Sequence, residues 1–223
     1  VKKVMLISSD KAVRPTNIMG ASKRISELIF QAYAALSDDY KIETVFSMVR
    51  FGNVLGSSGS VVPLFREQLS NGGPITLTDP NVIRYFMTIK EATELVLHSI
   101  ALAKGGDVFL LDMGKPMRIF DLAQKMVFLS GLSVKSESNP KGDIEIKNIG
   151  LRPGEKLYEE LLIDSESEPT EHPLIFRAKE KMIEFFSLES KIIQLSKFSL
   201  DNDKDKFLEL VSQLVPEYTS QET

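Results

Sequence analysis

The chain has 223 residues, of which 43% are hydrophobic, and a formal net charge of -4. This size and composition are typical of one large globular domain or two small interleaved ones, and the negative charge disfavours a nucleic-acid partner. Cysteine is absent and only two histidines are present, which excludes disulfides and thiolate ligands and predicts no metal site. The lack of cysteine fits a reducing compartment, so we expect a cytoplasmic protein. No apolar stretch approaches the roughly 20 residues of a membrane-spanning helix.

The chain begins with a pattern of strand, helix and strand. Residues 4–8 are apolar and predict a buried strand, and residues 44–50 predict a second one. Between them, residues 18–36 repeat apolar side chains at intervals of three and four, which predicts an amphipathic helix. Thr16 or Asn17 can cap that helix. A crossover of this kind implies parallel strand pairing and therefore an α/β fold.

The remaining segments predict shorter elements, with a Gly/Ser-rich loop over residues 51–60. The further helices are predicted at residues 61–69, 90–103 (with Thr88 as a possible cap), 119–130 and 155–162. The further strands are predicted at residues 75–78, 84–89, 108–112 and 144–149. Residues 188–215 predict two helices that divide near position 201, and residues 217–223 predict a frayed end.

Polar residues follow the first predicted strand. Ser9, Asp10 and Lys11 come directly after it, and ligands of open α/β sheets bind at the carboxyl ends of strands. A carboxylate and a lysine placed there can act as acid and base. Alternatively, they are solvated turn residues. Met19 and Lys23 share a helix face one turn further on, although a lone lysine at such a position is more often a surface residue.

A second group of candidates lies in later loops. The guanidinium groups of Arg84 and Arg152 match phosphate oxygens. Glu155 could accept hydrogen bonds from sugar hydroxyls, or could simply favour the first turn of its helix or pair with Arg152. Asn53 follows the end of a strand and could reach a phosphate, or could be a turn residue with a positive φ angle.

Four sequence blocks, in the same order, resemble those of bacterial UDP-N-acetylglucosamine 4,6-dehydratases. These enzymes belong to the extended short-chain dehydrogenase/reductase superfamily and make precursors of capsule, O-antigen and glycoprotein sugars. The blocks are SSDKAVRPTNIMGASKR at residues 8–24, RFGNVLGSSGSVVPLF at 50–65, IRYFMTI at 83–89 and LRPGEKL at 151–157. The resemblance extends over about residues 4–180.

The resemblance implies a role for each candidate. Asp10 and Lys11 would be the acid and base of the elimination, and Lys23 would hold the nicotinamide ribose of NAD. Met19 stands where most of the superfamily has a tyrosine base, and Ser9 keeps the hydroxyl of a usual threonine. Asp10 or a bound water would then take the C4 hydroxyl proton. The residues expected to bind the UDP moiety are Asn53, Arg84, Arg152 and Glu155.

The implied reaction moves a hydride from sugar C4 to NAD and later returns it at C6. In between, Lys11 removes the C5 proton, and Asp10 protonates the C6 hydroxyl, which leaves as water. One alternative is a UDP-sugar 4-epimerase of the same superfamily, which would use a tyrosine base and no Asp-Lys pair; Met19 together with Asp10 and Lys11 argues against it. The other is a non-catalytic module that binds nucleotide sugars.

We therefore expect the later part of a Rossmann-like parallel sheet with an interleaved, smaller substrate-binding region. The expected division is residues 1–112 for the nucleotide-binding domain (with substrate loops at 50–85), 113–187 for the substrate-binding region and 188–223 for a helical tail. The sequence lacks the G-x-G-x-x-G dinucleotide turn. We therefore expect a missing amino-terminal segment to make most NAD contacts, a possibly membrane-anchored parent, and little activity from this chain alone. An exposed sheet edge predicts a homo-oligomer.

Overall fold

The computed structural model describes residues 1–40, 43–161 and 166–220. The helices are α1 (Ile18–Tyr40), α2 (Val61–Ser70), α3 (Ile89–Leu102), α4 (Ile119–Leu129), α5 (Phe185–Leu200) and α6 (Lys204–Leu214). The strands are β1 (Lys3–Ile7), β2 (Val45–Arg50), β3 (Asn53–Val54), β4 (Ile75–Leu77), β5 (Ile83–Arg84), β6 (Phe86–Met87), β7 (Val108–Leu111), β8 (Met117–Arg118), β9 (Ile146–Asn148), β10 (Ser167–Pro169) and β11 (Ile175–Ala178). Among the described residues, no helix has both the length and the apolar character that crossing a bilayer requires.

The chain divides into two compact units. The first unit comprises residues 1–51, 93–112 and 160–223, and the second comprises residues 52–92 and 113–159. The assignment of substrate binding to residues 113–187 stays a prediction.

The first unit is built on a five-stranded sheet with the order β1-β2-β7-β11-β10. Strands β1, β2 and β7 are parallel, whereas β11 and β10 are antiparallel. All four residues of β7 are buried, as expected for a parallel strand covered on both faces. The α/β fold with a parallel sheet is confirmed. Sequence patterns missed both β11 and β10. Strand β10 is exposed along its length and contains Pro169, a residue tolerated at a sheet edge.

Helix α1 begins as predicted but is longer, because it continues to Tyr40. Asn17 caps it, with the Gly20 N–H donating to Asn17 Oδ1 at 2.9 Å. Its apolar stripe packs against the tail helices α5 and α6, whose existence and division are confirmed. The buried residues of this cluster are Ala21, Leu28, Ala32, Leu188, Leu195, Leu210, Val211, Leu214, Val215 and Tyr218.

The end of the tail is ordered against α1, so the expectation of a frayed end is wrong for residues 217–220. Tyr218 is 7% exposed, and the Thr219 N–H donates to the Pro15 carbonyl at 3.0 Å. The polar composition of this segment hid the buried aromatic ring. Residues 221–223 lie outside the described part of the chain.

The second unit combines short two-stranded pairings with helices α2 and α4. Strands β3 and β6 pair in parallel, as do β4 and β9, whereas β5 and β8 are antiparallel. The buried core is Phe65, Ile75, Leu77, Val82, Ile119, Ala123, Val127 and Ile144.

Residues 155–161 do not form the helix predicted at residues 155–162. Residue 162 lies outside the described residues. The backbone carbonyls of this segment are used by other elements instead. The Ile83 N–H donates to the Leu157 carbonyl at 3.0 Å, and the Arg84 side chain binds the carbonyls of Lys156 and Leu157. These bonds replace the ones that a helix would make. The predicted Thr88 cap is present, since Thr88 Oγ1 accepts from the Glu91 N–H at 3.1 Å.

Candidate functional site

The residues that follow β1 form a compact polar turn. Asp10 is 2% exposed and lies in a single 3₁₀ turn at Asp10–Ala12. The Ser9 hydroxyl donates to Asp10 Oδ1 at 2.6 Å, and Lys11 Nζ donates to the same oxygen at 2.9 Å. Thus a buried carboxylate holds a hydroxyl and an ammonium on one oxygen. The Lys11 side chain is 34% exposed, so this side chain is partly accessible to solvent.

The start of α1 packs directly on this polar turn. A Cβ atom on Gly20 would overlap the Lys11 carbonyl oxygen and lie 2.9 Å from Pro15 Cβ, so only glycine permits this approach. Met19 and Lys23 flank Gly20 on the same helix; Met19 is 50% exposed, and Lys23 is half-buried. The structure therefore brings the beginning of the helix that carries Met19 and Lys23 against the backbone of the Asp10–Lys11 turn.

Behind the polar turn lies a cluster of four buried charged residues, which we call the buried charge cluster: Arg24, Glu27, Arg50 and Glu180. Glu27 accepts from Arg50 through both carboxylate oxygens, at 2.8 and 2.6 Å, and from Arg24 at 3.0 Å. Glu180 is paired with Arg50 at 2.6 Å and with Arg24 at 3.1 Å. The Ser8 hydroxyl also donates to Glu27, at 2.6 Å. Two positive and two negative charges thus neutralise each other inside the unit.

The buried charge cluster shifts the ionisation of its members. Burial alone would raise the pKa of Glu27, but the hydrogen bonds and charge of Arg50, the charge of Arg24 and the Ser8 hydroxyl outweigh it and hold that pKa below its ordinary value. Burial alone would lower the pKa of Arg50, but the hydrogen bonds and charges of Glu27 and Glu180 raise it. Both shifts favour the charged forms of Glu27 and Arg50 at neutral pH.

The predicted UDP-binding residues lie in the second unit, where Arg84 is the most buried of them. It is 8% exposed, and its guanidinium donates to the carbonyls of Ile83 at 2.8 Å, Leu157 at 3.1 Å and Lys156 at 2.7 Å. The carboxylate of Glu155 lies 3.8 Å from Arg84 Nη2. Arg84 therefore organises the loop that contains Glu155.

The other three predicted binding residues are more accessible. Glu155 accepts from the Thr78 hydroxyl at 2.9 Å and from the Arg152 N–H at 3.2 Å. Arg152 itself is exposed. Asn53 is half-buried in β3, and its side-chain amide donates to the Tyr85 carbonyl at 3.3 Å. Asn53 has no positive φ angle, so the alternative interpretation of Asn53 as a left-handed turn residue is wrong.

Sequence reasoning missed the buried charge cluster. One signal was available: Arg24 and Glu27 are charged residues three positions apart within the apolar repeat of α1, and Arg50 ends an otherwise apolar strand. Charges in such positions are rarely buried unless they are paired. Among the described residues, no group of three or more acidic or histidine side chains is placed to hold a metal ion.

Comparison with known proteins places these features in a family. The family model described as polysaccharide biosynthesis protein matches residues 1–180. The chain belongs to this family. That match includes the polar turn, the buried charge cluster and the Arg84 loop, and it ends at Glu180, before the tail helices.

The individual relatives match different shares of this chain. The chain is 54% identical over 180 residues to the capsular polysaccharide biosynthesis protein CapD of Staphylococcus aureus. The matched region is 80% of this chain but only 28% of CapD. The chain is 32% identical over 222 residues to a UDP-glucose 4-epimerase of Rickettsia rickettsii, covering 96% of this chain and 61% of the epimerase. The X-ray structure of Pen from Bacillus thuringiensis has 35% identity and a TM-score of 0.67, covering 87% of this chain and 62% of Pen.

The expectation of a capsule polysaccharide biosynthesis family is thus confirmed. The chain spans little more than a quarter of the length of CapD. Any activity of a whole relative is accordingly a proposal for this chain.

Proposed function

We propose that this polysaccharide biosynthesis protein belongs to a nucleotide-sugar 4,6-dehydratase that acts on UDP-N-acetylglucosamine for surface polysaccharide synthesis. The observation that carries the proposal is the contact of the buried Asp10 carboxylate with Lys11 Nζ at 2.9 Å. An elimination of water needs a base for one proton and an acid for the leaving hydroxyl. A carboxylate and an amine that share one hydrogen bond can fill both roles.

Asp10 and Lys11 hold the proton that this chemistry requires. Moving one proton from Lys11 Nζ to Asp10 Oδ1 along their hydrogen bond gives a neutral amine and a protonated carboxyl without exchange with solvent. The amine can then take the C5 proton of the sugar, and the carboxyl can protonate the C6 hydroxyl as it leaves. The pair returns to its original charges and one water is released; Lys11 can then return its proton to C5 as the hydride is delivered to C6. Ser9 donates to Asp10 Oδ1 and so helps to orient the acid.

NAD fits this chemistry because the C4 oxidation that acidifies the C5 proton needs a hydride acceptor, which NAD supplies when bound. In this chain Lys23 would hold the nicotinamide ribose through its ammonium group, one helical turn beyond Met19. The exposed Met19 thioether cannot accept a hydroxyl proton at neutral pH. A bound water, or Asp10 while it is still a carboxylate, is left for the C4 hydroxyl proton.

The UDP moiety is assigned to residues of the second unit. Arg152 is exposed and can pair with phosphate oxygens in a bidentate manner. Glu155, held by the Thr78 hydroxyl, can accept from ribose hydroxyls. Arg84 and Asn53 make main-chain contacts in this structure; we propose that they keep the binding loops in place and can also turn toward the diphosphate.

A UDP-sugar 4-epimerase is the second candidate, and the similarity to the Rickettsia rickettsii protein supports it. Met19 weighs against it, because the resemblance implies that an epimerase of this superfamily would need a tyrosine where this chain has Met19. We expect little turnover by the chain alone, so incubation of the whole enzyme to which we propose it belongs, with UDP-N-acetylglucosamine and NAD, distinguishes the two. A 4-keto-6-deoxy product supports the dehydratase, whereas UDP-N-acetylgalactosamine supports the epimerase.

Calorimetric titration of this chain tests the residue assignments without requiring turnover. UDP and UDP-N-acetylglucosamine should both bind. Lys11→Ala should weaken binding of the UDP-sugar about tenfold, the equivalent of about 1.4 kcal/mol, because it removes one charged contact with the hexose. The same variant should leave UDP binding unchanged, whereas Arg152→Ala should weaken both ligands equally.

Two outcomes would contradict the assignments. If neither ligand binds, the UDP residues are wrongly assigned. If the UDP-sugar binds no differently to Lys11→Ala, then Lys11 does not contact the hexose, and the non-catalytic module becomes the better interpretation.

A further inference from the structure

We propose that Glu27 is a positioning residue for the polar turn, acting through the Ser8 hydroxyl. Nothing in the resemblance of this chain to known sequences assigns a role to either residue. The inference rests on the proposed function only in giving Asp10 and Lys11 a chemical task. The geometric claim, that Glu27 sets the position of Asp10, is independent of that task.

The contact between Ser8 and Glu27 is short and fully enclosed. Ser8 is 5% exposed and Glu27 is 0% exposed, and the hydroxyl donates to Glu27 Oε1 at 2.6 Å. A buried hydroxyl bonded to a charged acceptor is held more strongly than one bonded to a neutral group. Ser8 therefore has one favoured side-chain orientation.

Glu27 is in turn fixed by opposite charges from helix α1 and strand β2. Arg24 holds it from the same helix, Arg50 holds it from the end of β2, and Glu180 completes the neutralisation from the segment after β11. Moving Glu27 would separate buried ion pairs, which is strongly unfavourable. The carboxylate is thus a rigid reference point to which Ser8 is attached.

Ser8 transmits this position to Asp10 over two residues of chain. The Ser8 N–H donates to the Val49 carbonyl at 2.8 Å, and the Asp10 N–H donates to the Phe51 carbonyl at 3.2 Å. The main chain is therefore anchored on both sides of Ser9, which caps the 3₁₀ turn of Lys11. Without the Ser8 hydroxyl, this side-chain bond to α1 is lost, and the main-chain bonds to Val49 and Phe51 remain.

The test compares two buried serines in the same unit. Ser8→Ala removes the bond to Glu27. Ser47→Ala is the matched control, because the Ser47 hydroxyl is also buried and also donates to a buried carboxylate, that of Asp107, at 3.1 Å. The measurement is nuclear magnetic resonance of the side-chain carboxyl carbon of Asp10 and the ε-carbon of Lys11, with stability measured in parallel.

We expect both variants to lose similar stability but only Ser8→Ala to move the Asp10 and Lys11 signals. Ser8→Thr, which keeps a hydroxyl, should restore the original signals. Unchanged signals in Ser8→Ala, or equal changes in both alanine variants, would overturn the proposal.

If Ser8→Ala does not fold, the unaltered protein still provides a test. Its Ser8 hydroxyl proton should exchange slowly enough with water to be observed, and a rapidly exchanging proton would refute the inference. These readouts need no substrate. They can therefore fail while UDP binding succeeds, and the reverse is equally possible.

Discussion

The two units of the chain use buried arginines in different ways. In the first unit, Arg24 and Arg50 pair with the carboxylates of Glu27 and Glu180, and all four side chains are at most 3% exposed. In the second unit, Arg84 donates mainly to main-chain carbonyls, and its closest carboxylate, that of Glu159, lies 3.7 Å away.

This difference shows that a buried arginine can hold several secondary-structure elements together or can shape a single loop. Charge pairing in the first unit connects helix α1, strand β2 and the segment after β11. Carbonyl binding in the second unit shapes one irregular segment that no helix stabilises. Breaking the charge pairs of the first unit should lower the free energy of unfolding strongly, and removing the carbonyl bonds of Arg84 should lower it moderately.

The largest effect is expected from Glu27→Ala, which leaves two buried arginines with Glu180 as the one remaining carboxylate of the buried charge cluster. An uncompensated buried charge of this kind costs about 3–5 kcal/mol of unfolding free energy. Urea denaturation measures it. The control is Lys206→Ala, which removes an exposed ion pair with Asp203 and should lower the unfolding free energy far less. Equal losses in the two variants would contradict the difference between buried and exposed pairs.

A smaller effect is expected from Arg84→Met, which keeps much of the volume but removes the donors to three carbonyls. The loss should be about 1–3 kcal/mol, the usual penalty for an unsatisfied buried acceptor. Hydrogen exchange should accelerate at the Ile83 amide, whose acceptor is the Leu157 carbonyl. Arg84→Lys should recover part of the loss. Unchanged exchange at Ile83 would show that Arg84 does not hold this loop.

The smallest effect is expected from mild acid. The folded-state pKa of Glu27 lies below its ordinary value of 4.5, so the unfolded chain binds the proton first as pH falls. Stability contributed by Glu27 is therefore complete above about pH 4.5 and is lost as pH drops through its lower folded-state pKa. In the second unit, hydrogen bonds from Ser133 lower the pKa of Asp143, but this carboxyl is exposed. Acid should therefore destabilise the second unit less than the first.

Urea midpoints at a series of pH values, with hydrogen exchange resolved by residue, measure this difference between the units. Ser22→Ala, a change at an exposed hydroxyl of α1, serves as a control that should keep the same pH dependence. A loss of protection that begins in the second unit would contradict the assignment to Glu27.

The sequence predicted the parallel sheet and its helices well because their signals are local. The apolar repeat of α1 and the buried runs of β2 and β7 are each readable within a short window. Two failures share one cause, which is dependence on distant partners. The segment after Gly154 has helix-forming residues, but Arg84 and Ile83 take its carbonyls. Tyr218 lies in a polar segment, yet it is buried against α1.

The candidate site was predictable in part for the same reason. Motif order and position after a strand singled out Ser9, Asp10 and Lys11, and the structure joins them through one oxygen. The support behind them was not predictable, because Glu27, Arg50 and Glu180 are far apart in the chain and meet only when the sheet forms.

The contact at Gly20 restricts what evolution or an engineer can place there. Its backbone φ is not in the left-handed region, so the requirement is for absence of a side chain and not for unusual flexibility. Even a methyl group would press on the Lys11 carbonyl and would push the helix start away from the polar turn. Position 20 therefore admits one amino acid, while its exposed neighbour Ser22 remains open to variation.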